Sequence, residues 1–305
     1  MGASNTPFLF IMDYAMEQPQ WYALSELPST IRYAINENKK TVDPITVTPT
    51  PLSFQEYCKG FDKLQQYLHR GDSYLVNYTV ETAIETNISL LEIYENTYAP
   101  YKLLVNDSFV VFSPETFITI TENGTIATYP MKGTIDADIT DAESLILTNK
   151  KESAEHATVV DLLRNDVSKV ATNVRVEEYR YIQEVHTSKG TLLQVSSKIT
   201  GQLAARWQSN IADILLELLP AGSVTGAPKK KTLEIIADIE THNRGFYTGI
   251  FGIFDGQNLD SAVMIRFIEQ RNGKLYYKSG GGVTTQSNAH DEYKELIQKI
   301  YVPIG

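Results

Sequence analysis

Apolar positions along this chain change period in blocks. Ser53 stands three residues before Glu56, a capping box, and Phe54, Tyr57, Phe61, Leu64 and Leu68 follow at helical spacing until Gly71. The period then shortens to β-rich runs over 74–79, 101–105, 109–112, 117–121 and 125–129, separated by Asn, Asp, Ser and Gly turns, which predict antiparallel strands. Helices follow over 143–149 and 153–165, strands over 174–185 and 192–203, and helices again over 210–219 and 230–240. Strands over 246–255, 259–270 and 274–279 lead to a last helix over 290–300. The first forty residues read as a strand over 8–13, an irregular proline-containing link and a short helix over 31–38. Pro49 and Pro51 bias their predecessors away from helix, so Thr46 to Pro51 forms a connector. The pattern therefore predicts a short strand–helix segment, residues 1–50, packing on a main domain, residues 51–305. Strands in runs, rather than in strict alternation with helices, imply an α+β fold with stacked antiparallel sheets.

Composition narrows the partners. With 42% hydrophobic and 21% charged residues among 305, the chain can bury a large core and disorder is excluded. Its 27 Lys and Arg against 37 Asp and Glu leave a net charge of −10, so the long-range field repels nucleic acid and anionic membranes. An anionic small molecule has to be held by a local concentration of cations. Cys58 is the only cysteine, which excludes an internal disulfide framework and any multi-cysteine zinc or iron–sulfur site, and a reducing cytoplasm is the simplest home. The apolar stretch 8–12 is cut by Asp13, too short for a signal-peptide core, and no stretch reaches the length of a membrane span.

Several segments carry chemistry-bearing residues. Glu152 and Glu155 sit three apart on one predicted helix and Glu292 and Glu295 on another, so each pair shares a face. Oxygen-only pairs suit a hard cation such as Mg²⁺, although solvated glutamate faces have the same spacing. Gly222 to Lys229 runs into a helix whose free N–H groups could receive a carboxylate or phosphate, or it is merely a flexible helix start. It lacks the Walker spacing, so nucleotide hydrolysis has no support. Gly280, Gly281 and Gly282 permit close backbone approach to a ligand or a turn. Lys132, between a strand and a glycine turn, is an ordinary turn lysine or a nucleophile, the second requiring burial or a neighbouring cation. Glu115 reads as a strand-entry residue or a general acid, and His186 and Arg266 lie in apolar strands where core roles compete with binding roles.

Six ordered segments resemble the chorismate-utilising enzymes, over about 53–301. They are Ser113-Pro114-Glu115-Thr116-Phe117, Pro130-Met131-Lys132-Gly133-Thr134, Ala154-Glu155-His156 through Val160 to Asp166, Gly222 to Lys229, Arg244 to Gly249, and Gly280 to Lys299. The resemblance implies two facing antiparallel β-sheets with helices outside and an active site between them. The lysine of the second segment looks like that of aminodeoxychorismate synthase large components, whereas anthranilate synthases usually carry alanine there. The likeness then implies that Lys132 attacks C2 of chorismate as the C4 hydroxyl departs, that Glu115 protonates the leaving hydroxyl, and that ammonia resolves the adduct at C4.

By the same likeness Glu155 and Glu295, supported by Glu152 and Glu292, hold Mg²⁺. Tyr247, Arg266 and the amides of Gly281 and Gly282 face the enolpyruvyl carboxylate, while Thr134, His186 and Lys299 lie on the substrate side of the site. Where isochorismate and salicylate synthases carry a base lysine, this chain has Leu75, so activation of water is disfavoured. Cys58 lies in a helical pattern without a nucleophile elbow, so ammonia is expected from a separate glutamine amidotransferase subunit or from solution. Anthranilate synthesis and a catalytically silent chorismate-binding subunit are the competing readings. Retention of Lys132, Glu155, Arg266 and Glu295 speaks against the second.

Overall fold

The computed structural model describes residues 2–37, 45–187 and 190–302. The first half of the chain supplies strands β1 (Phe8–Met12), β2 (Gln20–Ala23), β3 (Ile31–Ile35), β4 (Thr48–Thr50), β5 (Leu75–Glu85), β6 (Tyr101–Val105), β7 (Phe109–Ser113), β8 (Thr116–Ile120), β9 (Thr125–Thr128) and β10 (Met131–Asp136). The second half adds β11 (Thr172–Thr187), β12 (Gly190–Gln202), β13 (Gly226–Ala227), β14 (Ile250–Phe254), β15 (Leu259–Val263), β16 (Phe267–Arg271) and β17 (Lys274–Val283). Among the described residues seven α-helices intervene: α1 (Phe54–His69), α2 (Leu90–Glu95), α3 (Ala142–Thr148), α4 (Lys150–Val167), α5 (Ile211–Leu218), α6 (Lys229–Ile239) and α7 (Ala289–Gln298).

Two antiparallel sheets result, as the resemblance implies. One, of nine strands, runs β10-β12-β9-β8-β15-β14-β1-β2, with β11 also paired to β12. The other, of eight, runs β13-β5-β17-β16-β7-β6-β3, with β4 also paired to β5. Strand β1 shows why they face each other: all five of its residues are apolar and buried, so both of its faces must be covered. Leu9 and Ile11 pack with Leu103, Val111 and Phe267 of the eight-stranded sheet, forming the core between the sheets. Phe8, Phe10 and Met12 point the other way, toward Val167 of α4 and Ile211, Ile214, Leu215 and Leu218 of α5. On the far side of the eight-stranded sheet, Val76, Tyr78 and Val80 of β5 meet Tyr57, Phe61 and Leu64 of α1 and Ile235 and Ile236 of α6. Helices thus cover both outer faces.

The local signals hold where they are self-contained. Ser53 and Glu56 form the reciprocal capping box expected for α1, and the same Ser-x-x-Glu signature at Ser89 and Glu92 caps the short α2, a helix too brief to show a helical period. Three expectations are corrected. Residues Ile31–Ile35 form a strand instead of a helix, because pairing with β6 buries Ile31 and Ala34 and overrides a weak helical spacing; Asn38 lies outside the described residues. The link before it contains β2, paired to β1. The run 259–270 is two strands in different sheets, broken at Arg266, whose φ is +54°. No helix among the described residues is long and apolar enough to cross a membrane.

Two buried polar ties fix the inner elements. The Arg244–Glu240 ion pair, 2.7 Å long with both side chains no more than 3% exposed, also reaches Asn77 O at 2.7 Å and Val224 O at 2.8 Å. Glu240 Oε1 additionally accepts the Thr79 N–H and hydroxyl, both at 2.9 Å. Replacing Glu240 by Ala leaves a buried guanidinium uncompensated, so denaturant unfolding should show a loss of about 3–5 kcal/mol; a loss below about 1 kcal/mol would deny that pair a structural role.

The second tie joins α4 to β12. His156, 1% exposed, shares a 2.7 Å hydrogen bond between Nε2 and the Ser197 hydroxyl, and Ser197 Oγ also accepts the Arg180 N–H at 2.9 Å. Burial, then the charges of Arg180 and Lys132, lower the imidazole pKa to about 4. The unfolded chain takes up this proton as pH falls through about 6.5, whereas the folded chain resists until about 4. This contribution to stability is therefore complete above pH 6.5 and lost on acidification toward 4, amounting to about 3 kcal/mol. A His156→Gln variant should show a flatter pH dependence of unfolding free energy across that window; an unchanged slope would contradict the assignment.

Candidate active site

Two of the points where the chain passes from one sheet to the other are bonded side by side. At Ser113-Pro114-Glu115 it leaves β7 of the eight-stranded sheet for β8 of the nine-stranded one, and at Met264-Ile265-Arg266 it returns from β15 to β16. The crossings are bonded to each other: the Val263 N–H donates to Glu115 O and the Phe112 N–H donates to Arg266 O, both at 3.1 Å. An acid and a guanidinium are thereby placed side by side in the gap between the sheets.

Glu115 is part-buried, and its Oε1 accepts a 2.5 Å hydrogen bond from the Ser223 hydroxyl. Burial pushes its pKa up, and the Ser223 hydrogen bond and the charges of Lys132, Arg266 and Lys299 oppose that rise. A carboxyl held above its usual range while cations surround it is suited to donating a proton and taking it back. Arg266 Nε is buried without a hydrogen-bond partner among the described residues, and the guanidinium lies 5.2 Å from the Tyr301 ring centroid. An unpaired buried donor of this kind is matched to an anionic ligand. Tyr247, 3% exposed, interacts with Arg244, Arg266 and Glu115, and burial pushes its phenol pKa upward.

Lys132 belongs to β10, opposite the glycines across the gap. The residue stands in a strand rather than at a turn, where pairing between Met131–Ser196 and Thr134–Gln194 is interrupted by a register shift. A side-chain carbon on Gly282 would come within 3.2 Å of Lys132 Nζ and 3.0 Å of Leu75 Cδ1; one on Gly281 would come within 3.6 Å of Lys299 Nζ. Glycine at both positions keeps the eight-stranded sheet clear of these ammonium groups. All three glycines lie inside β17, paired to Tyr78, Asn77 and Thr79 of β5, so the run is a strand and not a turn. Leu75, 4% exposed, offers no base beside Lys132.

Glu152 and Glu155 stand on α4, Glu292 and Glu295 on α7. Lys132 Nζ lies 3.5 Å from Glu155 Oε2, and Lys299 Nζ lies 2.7 Å from Glu295 Oε1 and donates to Gly280 O at 2.9 Å. Glu292 Oε1 accepts the Ser287 hydroxyl at 2.7 Å, and Glu152 Oε2 stands 3.3 Å from where a side chain on Gly133 would begin. Among the described residues no group of three or more His, Cys, Asp or Glu side chains is already gathered as a metal cluster. The donor chemistry, carboxylate oxygens contributed by α4 and α7, nevertheless fits a hard divalent cation.

Two other expected residues stand on β10 and β11. Thr134 is exposed and pairs with Gln194. His186 lies in β11 opposite Thr191, and its side chain is outside the described residues. The Gly222 to Lys229 segment does not present a row of free amides. The N–H groups of Val224 and Thr225 donate to Ala221 O and Gly222 O, Gly226 pairs with Val76, and Lys229 forms a 2.9 Å ion pair with Asp166. That segment delivers Ser223 instead, which the sequence pattern did not single out. Only its place in a glycine-flanked loop ahead of a helix hinted at a role.

Comparisons with known proteins fit this geometry. A family model described as chorismate binding enzyme matches residues 13–305, a longer span than the six segments. The chain is 50% identical to an uncharacterised PabA-like protein of Haemophilus influenzae, covering 99% of this chain and 94% of the relative. It is 32% identical to anthranilate synthase component 1 of Mycolicibacterium smegmatis, over 81% of this chain and 50% of the relative. Identity to aminodeoxychorismate synthase component 1 of Salmonella typhimurium is 29%, over 95% of this chain and 66% of the relative. Among solved structures, anthranilate synthase component I of Streptococcus pneumoniae superposes with a TM-score of 0.71 at 25% identity, covering 87% of this chain and 60% of that one. With a part-buried acid and a guanidinium whose Nε is unmatched at paired sheet crossings, and a family match over residues 13–305, this chain belongs to the chorismate-binding enzymes.

Proposed function

We propose that the protein is the chorismate-aminating component of an aminodeoxychorismate synthase, converting chorismate and ammonia to 4-amino-4-deoxychorismate in the cytoplasm. The observation that carries this reading is Lys132, whose ammonium reaches across the gap to Gly282 while sharing an electrostatic field with Glu115. Chorismate carries two carboxylates, and Arg266, Lys132 and Lys299 gather positive charge in a chain whose net charge is −10. Arg266 and Tyr247 orient the enolpyruvyl carboxylate together with the amides of Gly281 and Gly282, and the ring then lies between Lys132 and Glu115.

Once its ammonium has given a proton to solvent, the Lys132 amine forms a bond to C2 as both ring double bonds shift, C1=C2 to C1=C6 and C5=C6 to C4=C5, and the C4–O bond breaks. Glu115 gives its proton to the departing hydroxyl, which leaves as water. Ammonia then bonds to C4, both double bonds shift back, and the C2–N bond breaks to free Lys132. Proton transfer from the incoming ammonia returns Glu115 to its starting state. Glu155 and Glu295, with Glu152 and Glu292 beside them, would hold Mg²⁺. When bound, that ion would draw charge from the ring carboxylate and ease loss of the allylic hydroxyl. Ammonia is supplied by a separate glutamine amidotransferase subunit.

Anthranilate formation is the second reading, favoured by the 32% identity to an anthranilate synthase component. The lysine at 132 separates the two, since it supplies the nucleophile that amination at C4 with retained ring position requires. A Lys132→Ala variant should therefore lose formation of the 4-amino product by at least about 10³-fold while still binding chorismate, as read by product mass and by calorimetry. Turnover within about twofold of the parent would remove the covalent role.

A further inference from the structure

We propose that Ser223 is a positioning residue for Glu115: its hydroxyl, immobilised by two anchors of its loop, holds Oε1 and leaves Oε2 as the oxygen that exchanges a proton with the substrate. The inference rests on the acid role assigned to Glu115 above, and extends the site to the side chain that its Oε1 meets.

Both partners of this hydrogen bond are fixed by their backbones. The Glu115 N–H donates to Ser113 Oγ and Glu115 O accepts the Val263 N–H, each at 3.1 Å, so the crossing cannot swing. On the other side, Val224 O accepts Arg244 at 2.8 Å and Asn77 Nδ2 at 3.0 Å, which locks the loop immediately after Ser223 to β5 and to the buried Arg244–Glu240 pair. Thr225 Oγ1 closes the loop on Ala221 O at 2.8 Å. Immediately before Ser223, a side chain on Gly222 would meet Asp166 Oδ2 at 3.0 Å and Leu162 at 3.1 Å. Asp166 itself is clamped by Lys229 at 2.9 Å and Lys169 at 2.8 Å. A serine between two such anchors has little freedom to point elsewhere, so its aim at Glu115 is built into the fold.

The chemistry follows from the direction of donation. Ser223 donates to one carboxyl oxygen, so a proton carried by Glu115 resides on the other, and Oε2 has no hydrogen-bond partner among the described residues. Donation to the carboxylate favours its ionised form, against burial, and Lys132, Arg266 and Lys299 act in the same direction while the Tyr247 phenol also faces the carboxyl. Ser223 therefore both selects the reactive oxygen and limits how far burial raises the acid's affinity for its proton.

The test uses the full chain with ¹³C-labelled glutamate side chains, the Glu115 signal being assigned by its absence in Glu115→Gln. Ser223→Ala should move the Glu115 titration to higher pH, and Ser223→Thr, which keeps the hydroxyl, should restore it. In parallel, kcat for chorismate consumption should fall about tenfold in Ser223→Ala with little change in KM, and the limb of the pH–kcat profile that is missing in Glu115→Gln should move to higher pH. An unmoved Glu115 titration in Ser223→Ala overturns the proposal, and so does a loss of activity that Ser223→Thr shares fully. A titration that moves in a protein whose Glu115→Gln variant keeps full turnover upholds Ser223's hold on Glu115 and overturns the acid role instead.

Discussion

Everything in the gap depends on two reciprocal backbone hydrogen bonds. Val263 to Glu115 and Phe112 to Arg266 hold two of the points where the chain changes sheets against each other. A strand that ends in one sheet and resumes in the other must turn its polar backbone into the space between them, where water cannot satisfy it. Pairing the crossings meets that demand, and it also fixes which side chains face inward. Arg266 at a left-handed φ of +54° and Glu115 after Pro114 are the consequences. Their separation is set by the backbone and not by the mutual attraction of their charges, which lets the guanidinium keep an unmatched Nε for a ligand.

Charge in the gap is arranged for an occupant. Glu115 is desolvated, and three cations surround it, while Glu155 and Glu295 each engage a lysine. With both lysines 26% and Glu295 55% exposed, these ion pairs contribute little net stability, so they are not structural ties. The acidic exterior makes the contrast sharper, since an anion entering the gap leaves a repulsive field for a locally attractive one. The Arg244–Glu240 pair differs, because its donors and acceptors are satisfied by Asn77, Thr79 and Val224, and it serves as scaffold.

Signals confined to one turn of chain were legible in the sequence. The capping box at Ser53 and Glu56 is complete within four residues, and α1 begins where it says. The glutamate pairs of α4 and α7 follow from helical spacing, the ordered segments contain Glu115 and Lys132, and the family likeness added Arg266. What depends on distant chain was not legible. Residues 31–35 become a strand only because β6 lies beside them, and the apolar run through 259–270 gives no sign that Arg266 steps to the other sheet. Ser223 was hidden for the same reason: its meaning comes from Glu115, 108 positions away in sequence. The lysine partners of Glu155 and Glu295 likewise follow from geometry across the gap as well as from spacing along a helix.

The central claim is that this gap aminates chorismate at C4. Its most direct test is product analysis by mass after incubating the purified chain with chorismate, Mg²⁺ and ammonium, with a 4-amino-4-deoxychorismate lyase added to half of the sample. The account predicts p-aminobenzoate only in the half that contains the lyase, and 4-amino-4-deoxychorismate in the other. Anthranilate in both halves, or chorismate left unconsumed, would contradict it.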